Sequence, residues 1–117
     1  MTTIFERTAT ALATLAPAIP YALAPYQTSN NAALPDVYIA YQLITSPPEQ
    51  HADDAETLRR YLVQVSIWSR AGLVTLPDVD AVMLTAGFQK SDWRQLPRDP
   101  ATGHFGLAKD YTYLEGV

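Results

Sequence analysis

His51, Asp53, Asp54 and Glu56 are the densest run of potential metal ligands in the chain. Imidazole and carboxylates hold a divalent ion when about three of them are fixed by surrounding structure. Here they follow one another inside Ser46-Pro47-Pro48-Glu49-Gln50-His51-Ala52-Asp53-Asp54-Ala55-Glu56-Thr57, which carries four of the twelve acids and two prolines. Such a segment reads as a solvated, mobile loop. Ligands on an unheld loop do not make a stable site, so no metal site is assigned.

Nucleophilic catalysis needs a hydroxyl with a base in reach and a third group to orient that base. The only histidines are His51 and His104, and His104 follows Gly103 in a turn, where a capping or surface role is commoner. No G-x-S-x-G elbow, Walker loop or dinucleotide fingerprint occurs, and five scattered glycines build no phosphate cradle. Nothing nominates a pair of carboxylates for glycoside chemistry. The absence of cysteine removes thiolate metal sites, cysteine nucleophiles and disulfides, and fits a reducing compartment. The expectation is a protein that is not an enzyme, with no cofactor and no catalytic residue.

The elements that must position any other function are legible in the apolar spacing. Thr3 and Glu6 have capping-box spacing, and Ile4, Phe5, Thr8, Leu12 and Leu15 form a helical stripe that Pro17 should end. Residues 17 to 36 form a long connection with Pro17, Pro20, Pro25 and Pro35 and a polar run from Gln27 to Asn31, with Tyr21, Leu23 and Tyr26 to pin it. Long connections of this kind tend to be functional or interfacial, and this one has room for a short strand. Val37 to Thr45 is the clearest strand, with Val37, Ile39, Tyr41 and Leu43 on one face and Tyr38, Ala40, Gln42 and Ile44 on the other. Apolar residues on both faces predict a central strand, or one with a second covered face. Leu58 to Ser69 is its expected antiparallel partner.

A second helix is expected near Thr75-Leu76-Pro77-Asp78, capped by Thr75 with proline in its first turn and ended by Gly87. Leu76, Val79, Val82, Met83 and Ala86 would be its buried stripe. Trp93 to Leu96 reads as a short strand, and Pro97, Asp99, Pro100 and Gly103 as a turn. Phe105 to Leu114 reads as the last strand, with Phe105, Leu107, Tyr111 and Tyr113 on one face. The predicted fold is α+β: one domain over residues 1–117, a mainly antiparallel sheet of about four strands, and two helices packed on one face, in the order αββαββ.

Composition narrows the partners. The chain is 48% hydrophobic and 17% charged, with a net charge of −4. Few charges on a small domain fit either alanine richness or a subunit that covers more surface by assembling. Proteins that grip nucleic acid need clustered cations, and the only adjacent basic pair is Arg59-Arg60. Specific DNA binding is disfavoured, whereas a conduit through which DNA slides suits a neutral or acidic lining. The first residues, Met1 to Arg7, lack the pattern of a secretory signal, and no stretch reaches the eighteen or so apolar residues of a membrane span. A soluble chain is expected, without a membrane partner.

Seven tyrosines and two tryptophans supply large contact areas with one polar end each. On strands most should be packing, with about a third available to an interface. Trp68 is the first candidate, because it shares a strand face with Gln64 and Ser66.

Taken in order, Leu34-Pro35-Asp36-Val37-Tyr38-Ile39-Ala40-Tyr41-Gln42-Leu43-Ile44, the acidic loop, and Leu58-Arg59-Arg60-Tyr61-Leu62-Val63-Gln64-Val65-Ser66-Ile67-Trp68-Ser69 resemble the tail completion (tail terminator) proteins of long-tailed bacteriophages. So do the helix ending in Ala86-Gly87-Phe88, the Gly103-His104-Phe105-Gly106-Leu107 strand and its Tyr111 and Tyr113 finish. The likeness runs from Phe5 onward, carried by the order and spacing of the parts. The Pro17 to Pro35 connection is longer than the family pattern.

The resemblance implies a structural virion protein that closes the head-proximal end of the tail tube as a ring, usually of six copies. It would stop tube polymerisation and join tail to head. Its partners would be its own copies, the tail tube protein and a head–tail connector protein, with DNA only as passing cargo. Its place would be the virion, after assembly in the host cytoplasm, and the gene could sit in a prophage. No catalytic residue carries over. The candidate interface is Pro47, Pro48, Glu49, His51, Asp53, Asp54 and Glu56 of the loop, with Trp68. The alternatives are a neighbouring neck or connector protein of the same virion, or a small bacterial ligand-binding or regulatory module.

Overall fold

The computed structural model describes residues 3–16, 18–24, 34–45, 48–52 and 55–116. In chain order the elements are α1 (Ile4–Leu12), β1 (Tyr21–Leu23), β2 (Val37–Thr45), β3 (Pro48–Ala52), β4 (Ala55–Ser69), α2 (Val79–Thr85), β5 (Gln89–Asp99) and β6 (His104–Gly116). The fold is α+β. The sheet is ordered β1-β2-β4-β6-β5, with β3 pairing β4 off that path. β1 runs parallel to β2, and all other pairs are antiparallel. The expected four strands become six, because β1 and β3 form in segments read as connections.

α1 begins as its sequence predicts: the Glu6 N–H donates to Thr3 Oγ1 at 3.1 Å. It ends earlier than Pro17 would require. The Thr14 hydroxyl donates to the Ala11 carbonyl at 2.7 Å, while Thr14 and Leu15 N–H groups donate three residues back, tightening the last turn. Leu15 is still buried, but from that turn rather than from the helix. Phe5, placed in the apolar stripe from sequence, is instead on the exposed side. Ile4, Thr8, Ala11 and Leu12 make the buried stripe, and the Thr8 hydroxyl is satisfied within the helix by the Ile4 carbonyl at 2.8 Å.

α2 is capped by Asp78, which accepts from the Ala81 N–H at 3.1 Å, and not by Thr75. The Val79 N–H donates to the Pro77 carbonyl at 2.9 Å, so the proline sits in a turn before the helix. The far end is a Schellman closure. The Phe88 N–H donates to Met83 O at 3.0 Å and the Gly87 N–H to Leu84 O at 3.1 Å, with Gly87 at φ +98°. The geometry explains the Ala86-Gly87-Phe88 motif: glycine takes the left-handed residue, and Phe88 then drops into the core beside Met83.

Both helices cover one sheet face. Ile39 and Tyr41 of β2, Val63, Val65 and Ile67 of β4 and Tyr111 of β6 are buried there with Leu12, Val79 and Met83. β4 is the spine. Its fifteen residues, at about 3.3 Å each, span nearly the whole 52 Å long axis. The opposite face of β2 is also covered at Tyr38 and Ala40, in line with its two-sided apolar pattern.

Candidate functional site

The segment read as a mobile acidic loop is a hairpin arm. β3 and β4 pair antiparallel through Pro48↔Arg59, Gln50↔Leu58, His51↔Glu56 and Ala52↔Ala55, with two register shifts. Only two residues separate Ala52 from Ala55, the commonest hairpin length. Proline is tolerated at the first position of an edge strand, and Pro48 occupies it. The alternation of β4 therefore simply starts earlier than Leu58. Pro48, Glu49 and His51 fall on β3 and Glu56 on β4, while Pro47, Asp53 and Asp54 lie outside the described residues. Among the described residues, 55–57 pair only with β3, so the arm continues past the described end of the β2–β4–β6 sheet. Among the described residues no group of three or more His, Cys, Asp or Glu is placed to hold a metal.

Trp68 lies on the sheet face away from the helices. Its cross-strand partners are Tyr38 on β2 and Gly106 on β6. The Tyr38 and Trp68 rings stack at 6.4 Å between centroids, and the His104 ring meets Tyr38 edge-on at 4.9 Å. A Cβ added to Gly106 would stand 2.6 Å from the indole, so only glycine lets the ring lie flat across β6. His104 is fully buried. Its Nε2 is 2.7 Å from the Pro35 carbonyl and its Nδ1 is 2.8 Å from the Thr102 hydroxyl. A carbonyl only accepts, so Nε2 carries a proton and donates. The histidine is thus a tie between the entry to β2 and the start of β6, not the capping or surface residue expected from sequence. Arg70 reinforces the tie, donating to Asp36 Oδ1 at 2.8 Å and to the Thr102 carbonyl at 3.0 Å. Beside these rings runs an open groove of about 470 Å³ lined by Leu34, Tyr38, Gln64, Trp68, Leu96 and Asp99, among others.

On the helix side, a second cleft of about 280 Å³ lies between α2, β5 and β6. The Tyr111 hydroxyl donates to Asp80 Oδ1 at 2.5 Å. Lys109 Nζ is 3.3 Å from the same oxygen, and Lys90 Nζ is 3.5 Å from Oδ2. Burial alone would raise the Asp80 carboxyl, but the Tyr111 hydroxyl and the two ammonium groups outweigh it and hold it below its ordinary range. Burial first, and then the Asp80 and Asp78 carboxylates, push the Tyr111 phenol well above its ordinary value. Trp93 borders this cleft and is 66% exposed. A carboxylate held ionised is a weak base, and a phenol locked as its donor is no nucleophile. The cluster presents both signs of charge beside an apolar ring, a chemistry suited to docking.

Sequence reading missed this cluster because its members come from α2, β5 and β6. One signal was present: Lys109 shares a strand face with Leu107 and Tyr111, and a lysine on an apolar face requires an acid nearby.

Replacing Tyr111 with phenylalanine should cost about 1.5–2 kcal/mol near neutral pH, the lower part of the range for hydrogen bonds to charged groups. The discount reflects an Asp80 side chain still 26% exposed. The sign of the pH dependence follows. Asp80 is depressed in the fold, so its contribution is present above its unfolded value of about 4 and lost as pH falls from there through its lower folded value. Tyr111 is raised, so its contribution is whole below about pH 10 and lost as pH rises beyond. The variant should flatten both limbs in urea titrations, with Tyr41, also raised, leaving part of the alkaline one.

No protein-family model matches the chain, and no curated protein matches it.

Proposed function

We propose that the chain is a structural virion protein that closes the head-proximal end of a phage tail tube as a hexameric ring, ends tube polymerisation and joins tail to head. What supports this reading is the resemblance of the sequence motifs, in their order, to tail completion proteins, together with an α+β fold whose sheet ends in unlike strands on its two sides. A closed ring needs a head-to-tail contact between two different patches of each subunit. The hairpin arm leaves the sheet on the β2 side of β4, and the exposed β5 is at the opposite edge. Net charge −4 suits a ring through which DNA passes without being held. In this reading the protein has no catalytic role, its partners are the tube protein and a head–tail connector protein, and its place is the virion.

The test is addition of purified protein to polymerising tail tubes. Arrest of growth, with rings at one tube end, is the expected result. Head joining without arrest would instead favour a neck or connector protein of the same virion. Neither outcome, combined with small-molecule binding in the groove beside Trp68 and Tyr38, would favour a ligand-binding module.

The hairpin gives a further prediction. Deleting Glu49 to Ala55 removes most of β3 and the arm's turn but leaves the β2–β4–β6 pairing in place. The shortened chain should fold and lose ring formation, measured by light scattering in the presence of tubes. Unchanged rings and unchanged head joining would exclude the arm from assembly.

A further inference from the structure

Among the described residues three strands of the sheet keep an open edge, β1 and β3 on one side and β5 on the other. Among the described residues β5 pairs only with β6, and β3 pairs only with β4. These edges are on opposite sides of the molecule, since β3 flanks β4 on the β2 side and β5 ends the sheet beyond β6. Every other backbone group along such an edge lacks a partner, which makes the edge a template for another strand. β5 is long and exposed for most of its eleven residues.

Charge selects what β5 accepts. Lys90, Arg94 and Arg98 place three of the eight basic residues on this one strand. Its acids are engaged locally: Asp92 accepts from the Trp93 N–H at 2.8 Å and Asp99 from the Ala101 N–H at 2.9 Å. Lys90 and Arg94 reach Asp80 and Asp110 only at 3.5 and 3.4 Å, with side chains 57% and 52% exposed, so these pairs hold them weakly. Arg98 rests over the Phe105 ring. Like cations on both copies discourage a second β5 from pairing here. An acidic strand meets no such repulsion. The arm from Pro48 to Arg59 contains four acids, Glu49, Asp53, Asp54 and Glu56, against one cation, Arg59.

We propose that the β3 edge of one copy adds to the β5 edge of the next, between Gln89 and Leu96, joining the sheets of neighbouring subunits head to tail. The occupant is a second copy of this chain. The contact is heterologous, so it propagates in one direction and closes when the rotation per subunit divides a full turn. Trp93, exposed beside this edge, is then covered by the neighbour. The contact rests on the ring reading above for its partner, and it names the surfaces that meet.

The chain has no cysteine, so a single introduced thiol reports one position. Full-length Gln95→Cys and Gln50→Cys chains are mixed at high concentration with a short bifunctional maleimide. Val74→Cys, at a residue 99% exposed, gives the background. The expected main product is the Gln50→Cys/Gln95→Cys heterodimer, at least about tenfold above background and weakened by salt. Adding R94E and R98E to the Gln95→Cys chain should reduce the yield about tenfold, and adding E49K and E56K to its partner should restore it. Circular dichroism confirms folding, and R94Q/R98Q, which puts no new acid beside Asp110, should lower the yield about threefold if the glutamates unfold the chain. A heterodimer yield at background, a yield indifferent to charge reversal, or a dominant Gln95→Cys homodimer each overturns the proposal. Crosslinking without tube arrest would leave this contact standing and reject the tail role. Tube arrest by rings that do not crosslink would do the reverse.

Discussion

Gly106→Val should destabilise the fold by about 2–3 kcal/mol, the upper part of the usual range for overpacking. A Cβ at this position would lie 2.6 to 2.9 Å from three atoms of the Trp68 ring. The indole is rigid, and it is flanked by Tyr38, whose own ring is held by His104. Swinging Trp68 away would break the stack and uncover β6, so displacement and clash both cost stability. Chemical unfolding gives the loss directly. Trp68→Leu in the same chain should recover part of it, because the shorter side chain leaves space for the new methyl groups. Additive losses in the double variant would mean that Gly106 serves some other purpose than seating the indole.

His104→Ala should cost about 3 kcal/mol, combining the loss of a packed ring with a part-buried carbonyl left without its donor. The ring is wholly inaccessible and has partners at both nitrogens, Pro35 O and the Thr102 hydroxyl. Removing it orphans the Pro35 carbonyl and takes away the edge contact to Tyr38. His104→Gln should recover part of the loss only if its amide N–H₂ reaches Pro35, which makes it the informative second variant. Hydrogen exchange should show the effect at residues 34–38, where the chain enters β2. If exchange quickens only at the β5–β6 turn, the tie to Pro35 contributes little.

The sequence made the central strands plain, for a physical reason. β2 and most of β4 are rich in β-branched and aromatic residues at period two, and both lie where packing rewards that pattern. The ends of the elements were harder to read. Gln89 to Ser91 and Pro97 to Asp99 carry no apolar alternation, yet they belong to β5 because β6 offers a template beside them. β3 was read as loop for the same reason: Glu49, Gln50 and His51 have little strand preference, and pairing with the extended β4 decides the matter. Thr75 and Asp78 are both good caps, and only the turn at Pro77 chooses between them.

The candidate sites divide likewise. Trp68 could be singled out because strand parity alone set it on the face with Gln64 and Ser66. The Asp80, Lys109 and Tyr111 cluster could not, since α2 must first be laid across the sheet before those groups meet. His104 was undervalued because its partner, Pro35, is 69 residues away in the chain.

The position of β6 bears on when the molecule can take shape. β6 is the last strand in the described chain, yet it sits inside the sheet, pairing β4 on one side and β5 on the other. It also supplies Tyr111 to the core. Until residues 104–116 are available, the long edge of β4 has no mate and β5 has nothing to align on. Contacts of such wide sequence separation are slow to form. The nascent chain should therefore remain sensitive to protease until β6 leaves the ribosome, with a brief interval in which apolar β4 is open to intermolecular pairing.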